Sequence, residues 1–390
     1  MLQVSNCLRY MYLVLILAIL FCVLMTTHWY GNVYYMDLAP LDRGQDGHKQ
    51  ILSQDNETVS VQQKRVLVIT YQRSGSTLAG DLLQQVTNSS YVFEPLRYIE
   101  EDIVNGNVVT FLNKTGRSYK KSDSIYVMAE MVFNWFTCNV QNINTQDLTS
   151  IMLSYSDAYG EYSRCVSKAD MDVNKTMGLI NRCLKFLMKP CHSNNVTIIK
   201  TIRLDMASVA LLLKWLPGLK VVHLLRDPRG RLSSELKIDR QKWSSIQSIA
   251  SLHCNQMLSD ILIAERLNKQ YPDTIRILQY ESFTNDSIQQ SNSLFRFLNL
   301  EFTLQIRKYV EFVTLQTDVV DICYWCVKKT NAKLTSSKWR LTIEEKHARQ
   351  IDMQCGKLYD TVGFLKIKDS RSLRNLSVPL QTNKLKYMSL

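Results

Sequence analysis

Short, mainly apolar runs rich in β-branched residues recur along the chain and alternate with helix-like stretches. Runs of this kind are typical of parallel strands that are covered on both faces. The five runs are residues 66–70, 91–93, 197–202, 219–225 and 274–278. A helix is predicted over residues 205–215, with Asp205 at its start and Pro217 and Gly218 after its end. The alternation predicts an α/β fold, a parallel sheet with helices on both sides.

A longer apolar segment, residues 10–27, precedes these runs. Eighteen helical residues extend about 27 Å, close to the thickness of the thinner secretory-pathway membranes. A cleaved signal peptide would have a shorter apolar core and end in small residues, whereas Trp29 and Tyr30 follow this segment. Arg9 precedes it, so the positive-inside rule directs residues 1–9 to the cytosol and the rest of the chain to the lumen. We therefore expect an uncleaved single-pass signal-anchor.

The remaining chain divides by composition. Residues 28–63 are polar, with few large apolar side chains, and are predicted to form a lumenal stem. The main globular domain is predicted over residues 64–365. Within it, residues 102–192 are predicted to form a less regular insertion that contains cysteines. Residues 366–390 are predicted to be a loose basic tail.

Charge narrows the class of ligand. The 390-residue chain has a formal net charge of +12 at pH 7, which favours acidic ligands or substrates. Nucleic acid is the obvious alternative, but none of its usual binding modules occurs in the sequence. We therefore expect no nucleic-acid partner.

Sequons and cysteines agree with a lumenal domain. The sequons begin at Asn56, Asn88, Asn113, Asn174, Asn195, Asn285 and Asn375. The cysteines beyond the apolar segment are Cys138, Cys165, Cys183, Cys191, Cys254, Cys323, Cys326 and Cys355. They allow up to four disulfides, with the connectivity left open. The spacing of Cys323 and Cys326 could indicate redox or zinc chemistry, but no second such pair occurs and structural disulfides are favoured.

The first apolar run leads directly into residues 73–78, Arg-Ser-Gly-Ser-Thr-Leu. Gly75 allows the backbone to approach an anion, and Ser76 or Thr77 can cap the helix that follows. The free N–H groups and positive dipole end of such a helix attract a phosphate. A Walker A loop would need a second glycine and a following lysine, whereas here a single glycine follows Arg73. The segment predicts a P-loop-like cradle for a nucleotide that is not a metal-ATP complex.

A second strand-turn-helix pattern covers residues 221–235. Its strand ends at Arg226, at the same carboxyl edge of the sheet as the Gly75 turn. Arg226 can bind a phosphate through two N–H groups, and Ser234 can add a hydroxyl donor. The alternative is that Asp227 and Pro228 only start a helix and that Arg229 and Arg231 are solvated.

Taken together, the two patterns resemble the two cofactor motifs of the sulfotransferases. Arginine before Ser-Gly-Ser, combined with the anchor, is similar to the Golgi carbohydrate sulfotransferases that sulfate the 6-hydroxyl of galactose, GalNAc or GlcNAc. Further matching stretches are residues 93–95, 200–203, 276–281 and 337–340, then Cys355 and residues 363–364. The resemblance spans about residues 64–364. It implies the sulfotransferase fold and 3′-phosphoadenylyl sulfate (PAPS) as co-substrate, without a metal.

The resemblance also implies where PAPS binds. Its 5′-phosphosulfate is expected at Arg73, Ser74, Gly75, Ser76, Thr77, Leu78 and Ala79, and its 3′-phosphate at Arg226, Asp227, Arg229 and Ser234. Transfer of the sulfuryl group requires neutralisation of the charge that grows on the bridging oxygen. Because arginine is effectively always charged, Arg73 is expected to act in catalysis as an electrostatic clamp and not as a proton donor.

Glu94 is the candidate general base for the acceptor hydroxyl. It follows a short strand, about as far beyond the phosphate loop as the catalytic glutamate of related glycan sulfotransferases. The structural alternative is an ion pair with Arg97 or Arg203. His223 is interpreted as a core histidine, and His253 is expected next to Cys254 on a helix; neither is given a catalytic role.

We therefore expect a single-pass type II Golgi membrane enzyme that transfers a sulfuryl group from PAPS to a glycan hydroxyl. The implied partner is a glycan acceptor on a glycoprotein or proteoglycan, and a homo-oligomer is left open. Two alternatives have distinct signatures. A lumenal kinase would need an acidic metal site and would be sensitive to EDTA, and a non-catalytic glycan-binding protein would not bind adenosine 3′,5′-bisphosphate (PAP).

Overall fold

A computed structural model describes residues 63–168, 173–237, 240–315 and 332–382. Backbone contacts divide the chain into residues 1–60 and 61–390, and the described residues all belong to the second unit. The predicted cytosolic tail and anchor, and the predicted stem up to residue 62, lie outside the described ranges. Within those ranges, no helix combines the length and the apolar character needed to cross a membrane.

The described ranges contain a five-stranded parallel sheet and a separate hairpin. The strands are β1 Lys64–Thr70, β2 Ser89–Phe93, β3 Val108–Thr110, β4 Gly116–Ser118, β5 Val196–Thr201, β6 Lys220–Leu225 and β7 Ile275–Gln279. The sheet order is β2-β5-β1-β6-β7, and β3 pairs with β4. All neighbours in the sheet are parallel. Each of the five strands of the sheet coincides with one predicted run to within two residues at either end, which confirms the predicted parallel sheet.

Helices cover both faces of this sheet. In chain order they are α1 Ser76–Leu83, α2 Arg97–Asn105, α3 Ser124–Phe136, α4 Thr145–Leu148, α5 Gly160–Val166, α6 Val173–Ser193, α7 Met206–Trp215, α8 Pro228–Leu236, α9 Ile246–Gln270, α10 Tyr280–Asn285, α11 Ser287–Phe297, α12 Leu304–Leu315, α13 Ala332–Ser337, α14 Trp339–Thr342, α15 Glu345–Gln354, α16 Gly356–Val362 and α17 Ser370–Arg374. The predicted helix at 205–215 is α7, and the carboxylate of Asp205 caps it by accepting the N–H of Ser208 at 2.8 Å.

The central strand shows why the apolar runs are continuous. Alternate side chains of β1 point to opposite faces of the sheet. Leu67 and Ile69 pack into one buried apolar cluster, and Val66 and Val68 pack into a second. Both faces of β1 are therefore buried, so its central residues are apolar at the odd-numbered and at the even-numbered positions.

The strand order arranges the site. Because the five strands are parallel, their carboxyl ends meet at one edge, where α/β proteins bind ligands. The turn after β1 lies in the middle, with β6 and β7 on one side and β5 and β2 on the other. Arg226 follows β6 and Tyr280 follows β7, whereas Glu94 follows β2.

Three disulfides fix the helices around the sheet. Cys138–Cys191 and Cys165–Cys183 lie within the insertion between β2 and β5, and Cys254–Cys355 joins α9 to the junction of α15 and α16. The insertion is thus tied internally. Cys323 and Cys326 lie outside the described residues.

The prediction of a loose tail from residue 366 is wrong for residues 366–382. Ile367 and Leu373 are buried. The guanidinium of Arg340, itself buried, donates to main-chain carbonyls of this segment. Its acceptors are the carbonyls of Ser372, Leu373, Asn375 and Val378. A buried guanidinium needs acceptors, and the segment packs on the domain to provide them, so the domain does not end at residue 365.

Candidate active site

A cleft of about 940 Å³ opens at the carboxyl edge of the sheet. Among the described residues, its lining contains seven cationic side chains and two carboxylates, Glu94 and Glu101. The cations are Arg73, Arg97, Lys200, Arg203, Arg226, Lys237 and Lys338. This excess of positive charge favours an anionic ligand.

The turn after β1 depends on Gly75. Gly75 has φ 85°, in the left-handed region, and serves as the N-cap of α1 without any side-chain cap from the described residues. The prediction that Ser76 or Thr77 caps the helix is therefore wrong, because both belong to its first turn. The first N–H groups of α1 have no side-chain cap, as an anion-binding helix start requires.

Only part of this motif faces the cleft. Gly75, Ser76, Thr77 and Leu78 line it. Ser74 and Ala79 are buried and are absent from the lining. The hydroxyl of Ser74 has no hydrogen-bond partner among the described residues.

Two arginines connect the predicted motifs. The Nε of Arg73 donates to Oγ of Ser234 at 3.1 Å, and the guanidinium of Arg226 donates to the carbonyl of Arg73 at 2.7 Å. Burial, together with the nearby charge of Arg226, lowers the pKa of Arg73. Two guanidinium groups this close together create a site that an anion would stabilise.

Two aromatic rings shape this part of the cleft. The guanidinium of Arg226 lies 4.8 Å from the ring centroid of Tyr280, and its buried Nε has no hydrogen-bond partner in the described ranges. A Cβ added to Gly75 would lie 2.2 Å from Cε2 of Tyr280, and one added to Gly230 would lie 2.8 Å from Cδ1 of Trp339. Both rings line the cleft. The sequence-based prediction gave these two residues no role. They occur only within residues 276–281 and 337–340, two of the short stretches that resemble the sulfotransferases.

Asp227 and Arg229 hold the turn after β6 and do not line the cleft. Arg229 is fully buried. Its Nη2 donates to Asp227 at 2.7 Å, and its Nη1 donates to Asp352 at 3.1 Å and to the carbonyl of Leu365 at 2.8 Å. Asp227 also caps α8, because its carboxylate accepts the N–H of Arg229 at 2.9 Å. The alternative of a helix start was right for Asp227, whereas Arg229 is not solvated.

Glu281, in α10 after β7, binds the main chain of the same turn. Its Oε1 accepts the N–H of Asp227 at 3.0 Å, while its Oε2 is buried without a hydrogen-bond partner among the described residues. Burial, and next the charge of Asp227, raise the pKa of Glu281 to about 7, and the opposing effect of Arg226 is smaller. Glu281, like Tyr280 and Trp339, has no role in the sequence-based prediction.

Glu94 lies in the cleft wall with left-handed backbone, φ 52°. Its Oε1 forms an ion pair with Lys200, and its Oε2 accepts from Arg203 at 2.7 Å and from the N–H of Ile202 at 3.2 Å. Burial lowers the pKa of Lys200, and the charge of Glu94 opposes this shift. The predicted alternative of a pair with Arg203 is thus present, whereas Arg97 pairs with Glu101 at 3.7 Å.

A buried polar network lies behind the phosphate turn. The hydroxyl of Tyr71 donates to Asp260 at 2.8 Å and lies 3.1 Å from Nε2 of His223. Burial lowers the pKa of His223 to about 3. His223 is buried, consistent with its interpretation as a core histidine, and His253 is buried on α9.

The described ranges contain no group of three or more His, Cys, Asp or Glu side chains arranged to hold a metal ion. Of the predicted residues, the fold brings together Arg73, the turn from Gly75 to Leu78, Arg226, Ser234 and Glu94. Lys237 was missed; it follows α8, and nothing in the local pattern distinguishes it from a solvated lysine.

Comparison with known proteins identifies the family. The model of the Sulfotransferase family (Sulfotransfer_3) matches residues 65–303, more than half of the chain. Carbohydrate sulfotransferase 3 of Tetronarce californica is 22% identical over 363 residues, covering 85% of this chain and 79% of that protein. Carbohydrate sulfotransferase 4 of Mus musculus is 23% identical over 345 residues, covering 81% and 85% respectively.

Solved structures show only weak likeness. Mouse sulfotransferase SULT7A1 complexed with PAP matches with TM-score 0.39 and 10% identity, over 76% of this chain and 85% of that chain. The sulfotransferase domain of the Synechococcus PCC 7002 olefin synthase matches with TM-score 0.39 and 14% identity, over 77% and 98%. Similarity at this level adds no argument to the family match. On the family match and the curated relatives, the chain belongs to the sulfotransferase family and is a PAPS-dependent transferase.

Proposed function

We propose that this protein is a Golgi carbohydrate sulfotransferase that transfers the sulfuryl group of PAPS to a glycan hydroxyl, the 6-hydroxyl of galactose, GalNAc or GlcNAc. The observation that carries the proposal is the coupling of two anion-binding motifs in one cleft, through the contacts of Arg73 with Ser234 and of Arg226 with Arg73. The carbohydrate acceptor rests on the names of the relatives, which are carbohydrate sulfotransferases.

The residues of the cleft fit a nucleotide with two anionic groups. The helix start after Gly75 lacks a side-chain cap from the described residues, and the buried Nε of Arg226 lacks a hydrogen-bond partner among them. We propose that the 5′-phosphosulfate binds at the Gly75 turn with Arg73, and the 3′-phosphate binds at Arg226 and Ser234. PAPS supplies an activated sulfuryl group whose leaving group is a phosphate.

Arg73 contributes charge at the bond that breaks. A guanidinium stays protonated, so it stabilises negative charge on the leaving phosphate without proton transfer. Its contact with Ser234 limits the rotation of the side chain, which keeps this charge in position before the reaction. Asp227 and Arg229 are proposed to hold the turn after β6, a positioning role without contact to PAPS.

Glu94 is proposed as the general base. Its carboxylate lies in the cleft wall, but both oxygens are already bound to cations. Proton uptake from an acceptor hydroxyl requires that the hydroxyl use a lone pair of the carboxylate that these donors leave open or replace one of the two cations. Arg203 is the more exposed of the two cations, with a side chain 19% exposed against 4% for Lys200. We propose that the acceptor enters at the Oε2 of Glu94, beside Arg203.

We also propose that residues 10–27 anchor the protein in the membrane and that the domain that follows lies in the lumen. In the described ranges, all six sequon asparagines are exposed: Asn88, Asn113, Asn174, Asn195, Asn285 and Asn375. Three disulfides suit an oxidising compartment. Sensitivity of the expressed full chain to an N-glycosidase, together with Golgi staining, tests the location.

The function is tested with the full-length chain in detergent. Labelled sulfate should pass from PAPS to a glycan in a panel of keratan, chondroitin and N-glycan acceptors, and EDTA should not stop it. Arg73→Ala and Arg226→Ala should each abolish transfer and weaken PAP binding measured by calorimetry. Arg307→Ala, an exposed arginine paired with Glu311, is the matched control. Full activity of either cleft variant would refute the site, and PAP binding without transfer to any acceptor would refute the function.

A further inference from the structure

Tyr155 forms an aromatic stack with Phe93 at the β2 side of the cleft. The ring centroids are 4.8 Å apart and the planes are inclined by 23°. Phe93 is the last residue of β2 and directly precedes Glu94. Its ring also lies 4.4 Å from Nζ of Lys200, the ion-pair partner of Glu94. Phe93 thus links Tyr155 to the proposed base.

Tyr155 is much more exposed than the ring on which it stacks. It is 43% exposed, whereas Phe93 is only 9% exposed. Both side chains line the cleft, together with Met152. Tyr155 ends the 3₁₀ helix Ile151–Tyr155, whose Ser150 N-cap accepts the N–H of Met152 at 3.2 Å. The stack therefore presents a flat, ordered and accessible aromatic surface.

The strand order separates this surface from the nucleotide motifs. Arg226 and Tyr280 follow β6 and β7, on one side of β1, whereas Phe93 ends β2, two strands away on the other side. At roughly 4.8 Å per strand, β2 and β6 are about 14 Å apart. Sulfuryl transfer needs the acceptor hydroxyl in line with the leaving group. With the nucleotide extending from β1 towards β6, the acceptor approaches from β5 and β2.

We propose that Tyr155, supported by Phe93, is the platform on which the acceptor's sugar ring lies. The inference rests on the proposed function, since it concerns the acceptor of the same reaction. A pyranose has an apolar face of C–H groups, which packs on an aromatic ring, and an edge of hydroxyls. Arg97 and Glu101, four residues apart on α2 and both in the cleft lining, offer polar groups to that edge. Tyr155 is thus a specificity-determining residue for ring-shaped sugar acceptors.

The test compares variants of Tyr155 in the full-length protein. Tyr155→Ala should raise the KM for the glycan acceptor roughly tenfold, the loss expected for one aromatic contact. Tyr155→Phe should stay within about twofold of the wild type, because the ring face is retained. Tyr155→Leu keeps apolar volume without a flat face and should resemble Tyr155→Ala. The PAP dissociation constant should not change in any of them.

The control is Tyr126→Ala. Tyr126 is 46% exposed and makes an aromatic contact with Trp215 at 5.4 Å, but it does not line the cleft. It should leave the acceptor KM unchanged. An unchanged acceptor KM in Tyr155→Ala would overturn the platform and leave the proposed function standing. A parallel rise in the PAP dissociation constant would also overturn it, because Tyr155 would then serve the nucleotide. Transfer by the wild type only to non-sugar acceptors would overturn the proposed function and the platform together.

Discussion

The Nε of Arg73 donates a hydrogen bond to the hydroxyl of Ser234, 3.1 Å away and 161 residues later in the chain. This contact joins the turn after β1 to the helix after β6. Arg226 strengthens the same junction through the carbonyl of Arg73. The two anion-binding motifs therefore form one unit, and a change in either should alter binding at both.

Ser234→Ala should show this coupling. Loss of a hydrogen bond to a charged group costs about 1.5–3 kcal/mol, so we expect PAP affinity to fall at least about tenfold. Turnover should fall as well, because Arg73 loses its orientation. Calorimetry and sulfate-transfer kinetics measure the two effects. Ser245→Ala, at an exposed N-cap whose side chain forms no capping hydrogen bond, should change neither. If PAP affinity falls in Ser234→Ala but turnover does not, the two motifs are not coupled through Arg73.

Gly75→Ala should abolish PAP binding. The position has φ 85°, and the new Cβ would lie 2.2 Å from Cε2 of Tyr280, so either the turn or the ring must move. Gly106→Ala is the matched control, because its φ is 70° but nothing lies within 4 Å of the added Cβ. It should lose about 1–2 kcal/mol of stability and keep PAP binding. If the two variants bind PAP equally well, the contact with Tyr280 has no functional effect.

Glu94→Gln separates catalysis from structure. If Glu94 is the general base, turnover should fall by about 10²–10⁴ while PAP affinity is retained. Glu100→Gln is a stringent control, since Glu100 binds the same Arg203 at 2.8 Å but does not line the cleft. It should change turnover less than about threefold. Equal losses in both variants, or a loss confined to PAP binding, would assign Glu94 to the ion-pair cluster alone.

Glu281 should make stability depend on pH. Burial raises its pKa from 4.5 to about 7, so between these values the unfolded chain releases a proton that the folded chain keeps. Stability from this group is present below pH 4.5 and is lost as the pH rises to about 7. Each pKa unit corresponds to about 1.4 kcal/mol, so the shift of Glu281 from 4.5 to about 7 gives an upper limit of about 3.5 kcal/mol.

Glu281→Gln should remove this contribution. The amide keeps an acceptor for the N–H of Asp227 but does not ionise. Relative to wild type, the variant should gain stability between pH 4.5 and 7.5, measured by denaturant unfolding at both ends of the range. Asp147 and Asp260, whose buried carboxyls also have raised pKa values, leave a residual slope in both proteins. Glu301→Gln, at an exposed position, should not alter the profile; a slope unchanged in Glu281→Gln would contradict the assignment.

Sequence alone sufficed for the features that local chemistry dictates. The apolar runs located all five strands of the sheet, because a parallel strand buried on both faces favours apolar residues on both faces. Gly75 marked the anion-binding turn, since its positive φ excludes most other residues. The order of the two motifs then sufficed to recognise the family, before any contact between them was known.

Tertiary structure decided which charged residue meets which. Arg229, predicted to bind the nucleotide, is fully buried against Asp352, 123 residues away, and Glu94 is bound to Lys200 and Arg203. No local pattern encodes such pairs, because their energy depends on burial and on partners that only the fold brings together. The same holds for Tyr155, whose stacking on Phe93 exists only after the insertion has folded onto β2. The sequence thus determined the strands and the phosphate turn, and the fold determined which side chains remain available for chemistry.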